Sequence, residues 1–109
     1  MFNLNPNPTF SAVTPITVPG VDQPAMLTIV WRHKGRADLK AWIDTLGKVS
    51  DEQALLQVIA DWEGVVDDNR LPVPFGRGAL ADLLDAYPAS GGELCTSYLR
   101  ALTESRLGN

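Results

Sequence analysis

The chain is organised around the segment Leu55-Leu56-Gln57-Val58-Ile59-Ala60-Asp61-Trp62-Glu63-Gly64. Leu55, Ile59 and Trp62 fall at positions i, i+4 and i+7, a spacing that places side chains on one face of an α-helix. Further apolar residues between them widen this face beyond a narrow stripe. Because a helix that is apolar over so much of its circumference has to be covered from several sides, the pattern predicts a central helix over residues 51–63.

The two ends of this central helix carry signals of their own. Ser50 is followed three residues later by Gln53, which is the pattern of a capping box, where each side chain accepts a hydrogen bond from the other residue's backbone N–H. Gly64 belongs to the residue type that most often terminates a helix. We therefore expect the helix to begin after Ser50 and to end before Gly64.

Three further helices are predicted from apolar residues spaced three and four positions apart, over residues 37–46, 77–87 and 91–105. Gly47 is expected to end the earliest of them, and Pro88 bars continuation of the helix over 77–87. Ser90 and Glu93 repeat the capping-box spacing and are expected to open the last helix.

The N-terminal third of the chain has the period-two alternation of β-strands. Apolar and other residues alternate over 10–18 and again over 25–33, and the turn between them contains two prolines and a glycine. Pro15 has no N–H to donate, so the first strand is expected at a sheet edge. The pattern predicts an antiparallel hairpin over residues 10–33.

These segments together predict an α+β fold, in which an N-terminal antiparallel β-hairpin packs on a bundle of about four short α-helices, since a lone hairpin is marginal in water. Residues 1–9 are rich in proline and asparagine and are expected to form an extended arm. A length of 109 residues fits one domain, which we place at residues 10–109.

Composition narrows the classes of function. The formal net charge is −4, from 9 Lys and Arg against 13 Asp and Glu, and nucleic-acid affinity depends largely on cations that neutralise phosphates. No apolar run approaches the roughly 18 residues of a membrane span, and the first residues lack the features of a signal peptide. We expect no nucleic-acid partner, no membrane partner and a location in the cytoplasm.

Cys95 is the sole cysteine of the chain. One thiol cannot form an intramolecular disulfide or a thiolate zinc cluster within one chain. The neighbouring Leu94 and Leu99 favour a buried structural thiol over a nucleophile.

Two charged clusters are candidates for chemistry. Asp61, Glu63, Asp67 and Asp68 lie within one short stretch, but without the spacing of a calcium loop, and His33 has no second ligand at metal spacing. An enzyme that used these carboxylates with His33 would need them in one cleft. A solvated acidic loop is the simpler interpretation, and we predict no catalytic site, metal or cofactor.

Several segments are informative when they are taken in order: Phe2-Asn3-Leu4-Asn5-Pro6-Asn7-Pro8-Thr9-Phe10, Ile16-Thr17-Val18-Pro19-Gly20, Trp31-Arg32-His33-Lys34, Asp38-Leu39, Trp42, Asp61-Trp62-Glu63, Leu83-Leu84-Asp85-Ala86-Tyr87-Pro88, Tyr98-Leu99 and Arg106-Leu107-Gly108-Asn109. In order and in length they resemble the tail assembly chaperones of long-tailed bacteriophages and prophages. The resemblance covers nearly the whole chain and contains no catalytic motif. Gly35 and Gly76 stand where such sequences often have Thr or Ser, and glycine is a weaker helix cap.

The resemblance implies a non-enzymatic protein that binds and solubilises the tape measure protein. It also implies that the protein helps to recruit tail tube subunits and leaves the finished tail. Such a chaperone needs apolar surface for its client and charge to stay soluble. The alternatives are a structural or adaptor component of the tail and, less simply, the small carboxylate-dependent enzyme.

Candidate partner-binding residues are the aromatic and basic groups suited to interfaces, namely Trp31, Trp42, Trp62, Phe75, Arg32 and Lys34. The tryptophans also fit a core role, Trp42 and Trp62 more than Trp31. The basic run over residues 32–36 is either a solvated connection or a patch that faces an acidic partner. Self-association through the arm and the edge strand stays open.

Overall fold

The computed structural model describes residues 1–104. Its elements in chain order are β1 (Thr9–Ile16), β2 (Ala25–Arg32), α1 (Arg36–Thr45), α2 (Asp51–Leu56), β3 (Ile59–Glu63), α3 (Arg77–Ala86) and α4 (Ser90–Thr103). The strands form one antiparallel sheet in the order β1-β2-β3. The predicted α+β fold, with an N-terminal hairpin and four helices, is confirmed, and a third strand is added to the hairpin. Residue 105, at the end of the helix predicted over 91–105, lies outside the described residues, as do residues 106–109.

The prediction of one helix over residues 51–63 is wrong in its second half. α2 ends at Leu56, and β3 follows after two residues and pairs with β2. Val58 and Ile59 are both β-branched, and such residues are stiff at χ1 and favour strands over helices. The short helix and the strand are therefore separate elements.

A β-bulge explains why the strand resembled a helix in the sequence. Ile29 of β2 lies opposite Trp62, and Trp31 lies opposite Ile59, with a register shift between them that leaves Ala60 as the extra residue. Ile59 and Trp62 therefore face the core together although they are three positions apart, a spacing that a regular strand cannot place on one face. The bulge reproduces a helical spacing within a strand.

The hairpin follows the predicted alternation. In β2 the inward-facing residues Leu27, Ile29 and Trp31 are buried, and in β1 Thr14 and Ile16 are buried. β1 lies at the edge of the sheet, as Pro15 requires. Residues 1–8 precede the sheet, and the side chains of Phe2 and Leu4 are fully exposed there.

An aromatic cluster joins the helices to one end of the sheet. Tyr98 of α4 packs against Trp31 of β2, with ring centroids 4.9 Å apart, and edge-on against Trp42 of α1 at 5.0 Å. The Tyr98 hydroxyl donates to the Arg32 carbonyl oxygen at 2.6 Å, and Trp42 Nε1 donates to the Ala54 carbonyl oxygen at 3.0 Å. α4, α1 and the end of β2 thus meet around one tyrosine, and Trp42 links this cluster to α2.

Of the two predicted capping boxes, only the one at α2 forms. Gln53 N donates to Ser50 Oγ at 3.2 Å, and Ser50 N donates to Gln53 Oε1 at 3.4 Å. At α4 the helix starts at Ser90 itself, whose hydroxyl donates to the Tyr87 carbonyl oxygen at 2.7 Å. The prediction of a second box was wrong because Ser90 is one residue inside the helix.

Glu93 has a long-range partner instead of a capping role. Its Oε1 accepts from Thr17 N at 2.9 Å, and its Oε2 accepts from the Thr17 hydroxyl at 2.5 Å. Because Thr17 directly follows β1, this pair of hydrogen bonds ties the end of the edge strand to α4. The contact closes a loop of 76 residues.

Gly35 and Gly76 occupy the N-cap positions of α1 and α3, and neither cap has a side-chain hydrogen bond. Gly47 follows the end of α1 with φ of +86°, a backbone conformation that favours glycine. The predicted end of that helix is confirmed.

Candidate partner-binding groove

An apolar groove opens at the end of the hairpin where β1 finishes and β2 begins. Ile16 and Ala25 pair at this end of the sheet. The groove has a volume of about 190 Å³ and is lined by Ile16, Val18, Ala25, Met26, Leu27, Gly64, Val65, Val66, Leu83 and Tyr87. Its volume is below that of a typical small-molecule site of roughly 300 Å³ or more, so it is suited to a few apolar side chains.

Exposure rises steeply from the floor of the groove to its rim. Ile16 and Leu27 on the floor are buried, whereas Met26 and Val66 on the rim are 64% and 55% exposed. Met26 and Leu27 are neighbours on β2 and therefore face opposite sides of the strand. The groove is continuous with the core below and open to solvent above.

The loop that follows β3 forms one wall of the groove and is held by specific hydrogen bonds. Val73 N donates to the Val65 carbonyl oxygen at 2.9 Å, and Val66 forms an isolated bridge with Pro72. Trp62 Nε1 donates to the Val73 carbonyl oxygen at 2.8 Å. The wall is thus anchored to a buried side chain of the sheet, which keeps Val66 at the rim.

The acidic stretch after β3 has a structural role in this loop. Asp67 Oδ1 accepts from Asn69 N at 2.8 Å and from Leu71 N at 3.0 Å, as in an Asx-turn. Arg70 between them has φ of +62°. Within residues 1–104 no group of three or more His, Cys, Asp or Glu side chains could hold a metal ion.

His33 and Asp61 lie at different positions along the strand direction of the sheet. Asp61 is opposite Val30, and His33 follows β2 three residues further on, where its N–H donates to the Pro8 carbonyl oxygen at 2.9 Å. Three residues of strand span about 10 Å. The register does not bring the imidazole beside Asp61 as the enzyme hypothesis requires.

The three tryptophans predicted as partner contacts lie in the core. Trp31, Trp42 and Trp62 are each at most 5% exposed. Partner binding by them stays a prediction, and in the folded chain it would require the core to open. The core role considered for them in the sequence is the one that the structure shows.

None of the other three candidates lines the groove. Phe75 is half-buried and packs edge-on against Trp62, with centroids 5.1 Å apart. Arg32 is exposed and Lys34 half-buried, both at the far end of β2 from Met26. Partner binding by these residues stays a prediction.

Sequence reasoning missed the groove because its residues come from four separate elements. Val65 and Val66 follow β3, which was assigned to a helix, and Leu83 was assigned only to a helix face. One signal was available: Met26 is apolar at an outward position of the alternating strand, where a polar residue is usual when the face is solvated.

Two buried groups have perturbed acidity. Burial, and to a smaller extent the negative charge of Asp51, raises the pKa of the Cys95 thiol to about 11. Burial raises the pKa of Tyr98 to about 12. The predicted burial of this thiol is confirmed. A raised pKa disfavours the reactive thiolate, which agrees with a structural thiol.

No helix among the described residues is long and apolar enough to cross a membrane. Compared with known protein families, the sequence matches that of the phage tail assembly chaperones over residues 1–109. No curated protein and no solved structure gives a match.

Proposed function

The chain belongs to the phage tail assembly chaperone family, and from this premise we propose that it binds the tape measure protein and keeps it soluble. We further propose that it helps to recruit tail tube subunits around the tape measure protein. It acts in the cytoplasm of the bacterial host and leaves before the tail is complete. Its role is binding, without catalysis.

The observation that supports client binding is the apolar groove at the start of β2. An aggregation-prone client has apolar side chains to cover, and the rim residues Met26 and Val66 offer apolar surface without any opening of the core. Monomeric soluble proteins rarely leave large apolar patches open unless these serve an interaction. The net charge of −4 keeps a protein with such a surface soluble.

Co-expression with the tape measure protein of the same phage or prophage tests this proposal. We expect the tape measure protein to be insoluble when expressed alone and to appear in a soluble complex, recovered by affinity pull-down, when the chain is present. If the client stays insoluble and nothing co-purifies, client binding is wrong.

Tail tube recruitment needs a separate measurement. Purified tail tube protein is added to the soluble complex and, in a control run, to buffer containing no complex, and we expect it to co-elute with the complex in size-exclusion chromatography and to elute at its own position in the control. Elution of the tube protein at its own position in both runs would contradict recruitment.

Mass spectrometry of purified virions separates a chaperone from a structural component. β1 is an edge strand, and exposed edges can pair with other chains, so a component that stays in the particle is the alternative. A chaperone should be absent from the virion, whereas recovery at a fixed number of copies per tail would favour the structural alternative.

A further inference from the structure

Exposed apolar side chains gather around the groove. Among residues 10–104, apart from Ile43 in α1, the large apolar residues that are exposed are Val13, Val21, Met26, Val66 and Leu71. Val13 and Met26 are on the outer face of the hairpin, where Val13 lies opposite Thr28 and Met26 opposite Pro15. Val13 and Met26 are therefore diagonal neighbours, close enough for long side chains to form one surface.

Carboxylates surround this apolar surface. Asp22 follows Val21 in the turn between the strands, and Asp67 and Asp68 follow Val66. On the outer face of β3, Glu63 lies opposite Thr28, whereas Asp61 lies opposite Val30 and is nearer to the Arg32 end of β2. Arg70 in the loop and Arg100, which lines a surface pocket with Pro15 opposite Met26, supply positive charge. Asp22, Glu63, Asp67 and Asp68 outnumber them, so the local balance of charge is negative.

The basic residues lie at the other end of β2. The segment where the strand passes into α1 contains Arg32, His33, Lys34 and Arg36. Arg32 is six residues from Met26, or about 20 Å along the strand. That distance exceeds the Debye length of about 8 Å at physiological salt. Each end therefore presents its own charge to a partner.

From the apolar surface and its carboxylates we infer that the groove end of the chain docks an amphipathic helix whose apolar stripe is flanked by Lys and Arg. The inference rests on the proposed function for the identity of the client and adds the chemistry of the client segment. The outer face of the sheet, which carries Val13 and Met26, is about 10 Å wide because its three strands lie about 4.8 Å apart. This width matches the diameter of a helix.

In the inferred complex, each part of the surface has its own role. Apolar side chains spaced at i, i+3, i+4 and i+7 enter the groove between Met26 and Val66 and extend toward Val13. Cations on the flank of the helix approach Glu63 and Asp68. The charges steer association and set the polarity of the partner, whereas the apolar anchors supply most of the affinity.

Two synthetic helical peptides of about 20 residues, long enough to be helical alone, test the chemistry directly. Both carry the same leucine stripe; one carries lysine at the flanking positions and its twin carries glutamate. Fluorescence anisotropy with the full chain should give a Kd at least about tenfold lower for the lysine peptide, and added salt should narrow the difference. Equal affinities, or tighter binding of the glutamate peptide, would overturn the inference.

Paired variants locate the site. Met26→Ser combined with Val66→Ser should weaken binding of the lysine peptide by about tenfold or more, whereas Ile43→Ser, which removes an exposed apolar residue elsewhere, should change it by less than about twofold. If the control weakens binding as much as the double variant does, the peptide binds elsewhere.

Charge variants matched in net charge separate local from global attraction. Glu63→Gln with Asp68→Asn should reduce the preference for lysine over glutamate severalfold, and Asp44→Asn with Glu104→Gln should leave it unchanged. If both pairs reduce the preference equally, only the net charge of the chain matters, and the docking surface is wrong.

The peptide experiments can fail or succeed independently of the proposed function. If the chain solubilises the tape measure protein but discriminates neither peptide nor variant, client binding stands and the surface is elsewhere. If the chain binds the lysine peptide at Met26 and Val66 but never the tape measure protein, the surface stands and its client is another protein. A concentration-dependent dimer that the Met26→Ser and Val66→Ser variant abolishes, without peptide binding, would assign the groove to a second copy and overturn the inference.

Discussion

The two ends of β2 differ in how completely the rest of the chain covers them. At the Arg32 end, Trp31 is fully buried and α4 closes the strand through the Tyr98 hydroxyl on the Arg32 carbonyl oxygen. At the Ala25 end, Met26 is 64% exposed and the helices leave a groove. One strand therefore serves stability at one end and presents an apolar surface at the other.

The difference lies in the kind of side chain used. The closed end is built from aromatic residues with polar atoms. Trp42 Nε1 and the Tyr98 hydroxyl both find backbone acceptors, whereas Trp31 Nε1 is buried without a partner among the described residues. Such hydrogen bonds fix geometry, because a buried polar atom without a partner is costly. The groove is walled mainly by aliphatic residues such as Val65 and Leu83, which impose no such directional requirement on what covers them.

The largest effect is expected at the closed end, for Trp42→Ala. This substitution removes a buried indole that packs on Tyr98 and donates to the Ala54 carbonyl oxygen. The free energy of unfolding should fall by about 3–5 kcal/mol, measured by urea denaturation. Ile43→Ala, at the next and exposed position, is the control and should cost far less; equal losses would mean that α1 is not packed through Trp42.

A smaller effect is expected for Tyr98→Phe, which keeps the ring and removes the hydroxyl. Loss of its hydrogen bond to the Arg32 carbonyl oxygen should lower the free energy of unfolding by about 1 kcal/mol at neutral pH. Urea denaturation of the variant and of the unmodified chain gives this difference.

The same pair of proteins has a pH signature. Burial raises the pKa of Tyr98 from 10.0 to about 12 in the folded chain, so the unfolded tyrosine ionises first as the pH rises. The stability linked to this group is complete below pH 10 and is lost between pH 10 and 12. The stability difference between the two proteins should narrow in that window, and a difference that stays constant across it would contradict the burial of the hydroxyl.

The sequence predicts the two ends of β2 unequally well. Strict alternation from Leu27 to Trp31 identified the buried face of the strand, and Pro15 identified the edge, because both follow from local geometry. β3 was missed because its bulge at Ala60 places Ile59 and Trp62 on one face at a helical spacing. Pairing across strands, which creates the bulge, is not encoded within a local window of sequence.

The groove could not be predicted for a related reason. Its residues are far apart in the chain, and nothing in Val66 or Leu83 alone distinguishes a groove wall from a core position. The interface candidates chosen by residue type were aromatic and basic, and the tryptophans among them became core instead. Residue type indicated what could be buried, and the fold decided what was left open.

Between the two ends of the sheet, Thr14 offers a gain in stability. Its side chain is fully buried, and its Oγ1 has no hydrogen-bond partner among the described residues. Thr14→Val keeps the shape and removes the unpaired hydroxyl, so the free energy of unfolding should rise by about 1 kcal/mol. Thr28→Val on the outer face of the sheet is the matched control and should have little effect. A loss at position 14 would show that the hydroxyl has a partner in solution.

The smallest effect is expected for Met26→Ser at the open end. The side chain is largely exposed, and surface substitutions usually change stability by less than about 0.5 kcal/mol. Leu27→Ser, one residue along and on the buried face of β2, is the contrasting variant and should be strongly destabilising in the same urea titration.

A loss above about 1 kcal/mol for Met26→Ser would mean that the groove is covered in solution. If that loss grew with protein concentration, the cover would be a second copy of the chain, because the stability of an associating protein depends on its concentration. If it did not, the arm or the loop after β3 would have to close over Met26, and the contrast between the two ends of the strand would disappear.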